Sequence, residues 1–131
     1  MCGIGPFAIP VAINGSKVYA NDLNPRSYHY LKENIALNKV DKLVTPYNLD
    51  GRVFLAKLLS EKKQFTHVLM NLPAIALEFL DAFPRQFDHW EGELPYIHCY
   101  CFSNAPDVKK DVKEVRRCSA FRVRINTGQC S

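Results

Sequence analysis

Apolar and polar positions along this 131-residue chain alternate between a two-residue and a helical period, and the switches divide it into strand-like and helix-like segments. KVYAND, residues 17–22, is a short β-prone run that leads to Asn24-Pro25. Asn24 suits a helix cap and Pro25 the first turn, where no N–H donor is needed. Tyr28, Leu31 and Ile35 follow at helical spacing, predicting an amphipathic helix that fades near Asn38. LVTPYNL is a second extended stretch ending at Asp50-Gly51, and VFLAKLL reads as a helix. FTHVLMNLP, residues 65–73, has the near-continuous apolar character of a parallel strand covered on both faces. A helix is expected over residues 74–83 and a polar, aromatic loop over 84–93. LPYIHCYCFS predicts a further strand, DVKKDVKEVRR a charged helix, and SAFRVRIN a last strand with arginines at alternate positions.

This alternation implies an α/β fold with a mostly parallel sheet and right-handed crossovers, and such sheets bind ligands at the carboxyl ends of their strands. The length suits one domain. Apolar residues at 47% and charged residues at 23% are ordinary globular composition. No run approaches the roughly 20 apolar residues of a membrane span, and no signal-peptide pattern opens the chain.

Charge and cysteine usage refine this only a little. The net charge of +4 is mild, but residues 109–124 hold seven Lys or Arg against Asp111 and Glu114, which favours a polyanionic partner. Lys109, Lys110, Lys113, Arg116 and Arg117 could contact RNA, but such runs are more often a solvated helix face. Cys2, Cys99, Cys101, Cys118 and Cys130 form no C-x-x-C pair, so neither a structural zinc site nor a disulfide framework is expected. Cys99 and Cys101 read as small apolar residues on one strand face. His29, His67, His89 and His98 have no ligand-like spacing and are taken as structural or surface residues, so no metal site is expected.

Four loops carry chemistry. Gly3-Ile4-Gly5-Pro6 allows backbone to approach a ligand closely, although a lone G-x-G is more often a turn. Asp22 lies at the end of the next strand, where a carboxylate typically accepts from ribose hydroxyls; its structural alternative is a helix cap beside Asn24. Asp50, after Leu49, is placed to accept from an exocyclic amine such as adenine's, or equally to cap a helix. Asn71-Leu72-Pro73-Ala74 follows HVLM and can present an amide to a planar base, or be a plain strand-to-helix turn. In this order the loops describe an adenosine-containing ligand across the sheet, with a second planar substrate beside it.

GIGPFAIP, ANDLNP, NLDGR, VLMNLPA and LPYIHCYCFS, in that order, resemble the catalytic domain of archaeal and eukaryotic tRNA (guanine-N1)-methyltransferases. The resemblance runs from Cys2 to about Ser103 and more weakly through Cys118 to Arg124. It implies a Rossmann-like class I methyltransferase domain with helices on both faces of the sheet. It also implies S-adenosylmethionine as methyl donor and guanine 37 of the tRNA anticodon loop as acceptor. Gly3 and Gly5 would then lie against the methionine part of the cofactor, Asp22 would hold the ribose with Leu23 nearby, and Leu49 and Asp50 would face adenine. Asn71 and Pro73 would line the pocket between methyl donor and guanine. A monomer working in cytoplasm, nucleus or mitochondrial matrix is expected, with no membrane association.

Departures from the family shape two further expectations. Family members carry RNA-recognition regions, the residues thought to deprotonate N1, and a strand with an acidic residue before this loop; they close with an antiparallel strand pair. The chain is therefore expected to be a catalytic-domain fragment cut at both ends, with its acid and base unknown and its activity alone weak or absent. A wybutosine-pathway aminocarboxypropyl transferase and a non-catalytic remnant are the alternatives. The former typically has a Tyr near Phe7 and lacks the DLNP and NLPA forms seen here.

Overall fold

The computed structural model describes residues 1–71, 79, 82, 83, 86–102 and 123–128. The chain divides into two compact units, Met1–Leu58 and Leu59–Ser131. All described strand pairs are parallel.

In the first unit the order is α1 (Ala8–Ile13), β1 (Val18–Asn21), α2 (Pro25–Leu37), β2 (Val44–Tyr47) and α3 (Gly51–Ser60), with α3 running across the unit boundary. β1 and β2 pair from Val18 opposite Val44 to Asn21 opposite Tyr47. The Val18 and Asp22 amides donate to the carbonyls of Leu43 and Tyr47, at 2.8 and 3.2 Å. In parallel pairing this turns the odd-numbered residues of β2 toward β1, so Pro46, which has no N–H, falls on the outer edge where none is needed. The core packs Ala8, Ile9 and Ala12 of α1 with Leu31 and Ile35 of α2, Ala20 of β1, Val44 of β2 and Val40.

Sequence patterning places α2 correctly: Asn24 is its N-cap, its side chain accepting from the Arg26 amide at 2.9 Å, with Pro25 at the first position. By contrast α1 replaces part of the expected opening loop. Pro10 stands at its third position, inside the first turn, where a helix has no internal partner for the missing N–H.

The second unit contains β3 (His67–Asn71), β4 (Tyr96–Phe102) and β5 (Val123–Gly128) in the order β3-β4-β5. Ile97 and Cys99 of β4 are fully buried, so Cys99 behaves as the small apolar residue expected. The side chain of Cys101 is outside the described set. β3 departs from the expectation of burial on both faces: Met70 is buried, but Leu69 is 43% exposed and His67 and Asn71 are exposed. Phe65, Phe87 and Trp90 form an aromatic cluster, with centroids 5.0 Å apart for Phe65–Trp90 and Phe87–Trp90; it anchors the 86–93 turns. The helices expected over 74–83 and 107–117 and the basic run at 109–117 lie largely or wholly outside the described residues. Among those described, no helix is long and apolar enough to cross a membrane.

Candidate active site

Because β1 and β2 are parallel, the loops that follow them emerge at the same end, and the glycine loop is tied to that end by three contacts. The Cys2 amide and the Met1 amino group both donate to the carbonyl of Asn21, the last residue of β1. The Gly3 amide donates to Oδ2 of Asp22 at 2.8 Å. From the other side, Asn34 of α2 donates its side-chain amide to the Ile4 carbonyl at 2.9 Å. Both glycines take positive φ, +55° at Gly3 and +100° at Gly5. A Cβ at Gly5 would stand 2.9 Å from both Ile9 Cγ1 and Leu31 Cδ1, so Gly5 is required by the core beneath the loop. Gly3 faces open space and leaves its side of the loop clear.

Asp22 serves two backbone donors at once, Gly3 through Oδ2 and Asn24 through Oδ1 at 2.9 Å. Its structural and ligand-binding readings are therefore compatible. A carboxylate has about four acceptor positions, and these contacts use two. Leu23 beside it is 63% exposed and offers an apolar surface at the mouth.

The loop after β2 is held by two asparagines that sequence reasoning did not single out. Asn21 is the buried polar residue of the described core, 3% exposed. Its side chain donates to the Leu49 carbonyl and accepts from the Leu49 amide, both at 2.9 Å. Asn48 donates to the carbonyls of Asp22 at 2.7 Å and Leu23 at 3.0 Å. A polar amide ending the otherwise apolar run VYAN was the available signal, since asparagine is disfavoured within strands. Asp50 caps α3, its Oδ1 accepting from the amides of Arg52 at 2.9 Å and Val53 at 3.4 Å.

The structure thus brings together Gly3, Gly5, Asp22, Leu23, Leu49 and Asp50 at one end of the β1–β2 pair. Asn71 closes β3 in the second unit, in register with Tyr100 of β4, and Pro73 lies outside the described residues. Cys2, under the loop, is not an activated nucleophile: burial pushes its thiol up to about 11, and the nearby Asp22 carboxylate adds to the rise. On the exposed side of β3 and β4, His67 Nδ1 lies 3.0 Å from His98 Nε2, and His67 also stacks on Tyr96.

A glycine loop, an acidic residue at the next strand end and a capped turn after the following strand are the strand-end features of a Rossmann-like α/β domain. The chain belongs to the TRM5/TYW2 methyltransferase domain family, whose sequence profile it matches over residues 1–126. It is 90% identical over 114 residues to a tRNA (guanine(37)-N(1))-methyltransferase of Phytophthora infestans, a stretch covering 87% of this chain and 28% of that protein. To the enzyme of the same name from Danio rerio it is 47% identical over 140 residues, covering 98% of this chain and 29% of that one. A crystal structure from Pyrococcus horikoshii carrying a transferase name superposes with a TM-score of 0.50 at 29% identity, over 63% of this chain and 30% of the other. The chain therefore spans less than a third of the length of these curated relatives.

Proposed function

We propose that this domain binds S-adenosylmethionine and serves in methyl transfer to N1 of guanine 37 in tRNA. The observation that carries the reading is the 2.8 Å contact from the Gly3 amide to the Asp22 carboxylate, which joins the glycine loop to the strand-end acid. The residues fit an adenosine-bearing ligand. Asp22 keeps acceptor capacity for ribose hydroxyls, the Gly3 face is open, and exposed Leu23 and Ile4 supply apolar surface. The names of the Phytophthora and Danio relatives supply the reaction and acceptor.

In this reading the cofactor supplies a methyl group on a cationic sulfur, and the protein's task is alignment plus removal of the N1 proton. Gly3 and Gly5 shape the loop against the methionine end. Asp22 fixes the ribose, Leu49 and Asp50 the adenine, and Asn71 with Pro73 borders the guanine.

The test pairs calorimetry with S-adenosylhomocysteine and a methylation assay on a guanine-37 tRNA transcript, read by nucleoside mass. Saturable binding together with formation of N1-methylguanosine is expected. No heat at millimolar ligand would remove the cofactor assignment. A heavier product carrying an aminocarboxypropyl group would replace methyl transfer with the sister reaction.

A further inference from the structure

The last backbone bond between β1 and β2 runs from the Asp22 amide to the Tyr47 carbonyl, at 3.2 Å. Beyond it the two chains leave the sheet as loops, and parallel strand ends usually part there. Here they do not, because side-chain amides continue the ladder. Asn21, at the end of β1, reaches forward to both backbone groups of Leu49. Asn48, just past β2, reaches back to the carbonyls of Asp22 and Leu23. Four hydrogen bonds of 2.7–3.0 Å therefore cross between the two loops in opposite directions.

We propose that Asn21 and Asn48 form a crossed strap that sets the spacing between the ribose-binding and adenine-binding loops before ligand arrives, making both of them positioning residues for the cofactor. The inference rests on the cofactor reading above. A ligand that spans Asp22 and the Leu49–Asp50 segment must meet both loops at one separation. If the loops were unstrapped, ordering them would weaken binding; prefixed, they add nothing to that cost. The burial of Asn21 sharpens the argument, since a buried amide is tolerated only when fully paired, and Leu49 pairs both of its ends.

The experiment is calorimetry of the 131-residue chain with S-adenosylhomocysteine and with adenosine, at temperatures where circular dichroism shows each variant folded. Asn21→Asp is nearly isosteric, but its carboxylate faces the Leu49 carbonyl without a donor. Affinity for both ligands should fall about tenfold or more near pH 8. Burial raises the carboxyl's pKa, so toward about pH 5 it takes up a proton, donates to Leu49 again, and affinity should return. The unaltered chain should show no such recovery. Asn48→Ala leaves no fully buried partner and should weaken binding about three- to tenfold, with faster amide exchange at Leu49 in the free protein.

Equal affinity of Asn21→Asp and the unaltered chain at both pH values overturns the strap. Should Asn21→Asp unfold at pH 8, Asn48→Ala decides: unchanged affinity and unchanged Leu49 exchange overturn it. Failure of the unaltered chain to bind either ligand overturns the cofactor reading itself. Binding by that chain, lost in Asp22→Ala but untouched by both asparagine variants, overturns the strap alone.

Discussion

Gly3 and Asp22 are nineteen residues apart in sequence and joined by a 2.8 Å hydrogen bond from amide to carboxylate. That bond makes the acidic residue part of the loop's own architecture, with the Asn24 amide held by its second oxygen. Removing the carboxylate should therefore act twice. Asp22→Ala is expected to lower stability by about 1–2 kcal/mol, through two lost charge-assisted bonds at a half-buried site, measured by denaturant unfolding. It should also reduce S-adenosylhomocysteine affinity by about tenfold or more. Loss of stability with unchanged affinity would leave Asp22 a structural residue only.

The two loop glycines should respond differently. Gly5→Ala places a Cβ against Ile9 and Leu31 at 2.9 Å and forces a side chain into φ +100°. A cost of about 2–4 kcal/mol follows from backbone strain plus overpacking. Gly3→Ala meets open space at φ +55°, in the left-handed helical region, and should cost about 1 kcal/mol. Urea melts of the two variants check the order. Equal losses would mean that Ile9 and Leu31 yield easily.

Most elements of this fold were legible because each carried a local signal that agreed with its packing. Asn24-Pro25 marked the start of α2, and the alternation around Cys99 marked β4 with its buried face. α1 was hidden because Pro10 resembles a loop residue unless its place in the first turn is known. Burial of β3 was overread: apolar Leu69 lies on an exposed face, and an unbroken apolar run records composition, not which side is covered. At the site, Gly3, Asp22 and Asp50 stood out as residue types with recognised tasks. Asn21 and Asn48 did not, since an asparagine's role depends on which backbone groups the fold brings to it, here across 28 and 26 residues.

The Cys2 thiol gives a pH signature of the loop. Its value rises from 9.0 to about 11, chiefly because burial disfavours the thiolate. In the unfolded chain the same thiol ionises first, so the stabilising contribution is complete below about pH 9 and is lost as pH rises toward 11. Unfolding free energy should decline across that window, less steeply in Cys2→Ala. Alkylation by iodoacetamide at about pH 7.5 should be slow in the folded protein and rapid in urea, since the thiolate is the reactive form. Fast labelling of the native chain, located by peptide mass, would show that the loop opens readily.

Asp50 is the residue whose two sequence readings can be separated by one substitution. Its Oδ1 caps α3 through the Arg52 and Val53 amides, so the capping role is established by geometry, while contact with adenine is proposed. Asp50→Ala should cost about 1 kcal/mol by removing the cap. Asp50→Asn keeps an oxygen for those amides and should unfold within a few tenths of a kcal/mol of the unaltered chain, on the order expected for exchange among good caps. If the carboxylate also receives adenine's exocyclic amine, the substituted side chain puts an N–H₂ group where an acceptor is needed. Affinity for S-adenosylhomocysteine should then drop about tenfold with stability preserved. Inosine, whose O6 accepts where adenosine's amine donates, should bind the Asp50→Asn variant better than it binds the unaltered chain, so a preference for adenosine that persists undiminished in Asp50→Asn would assign Asp50 to the cap alone.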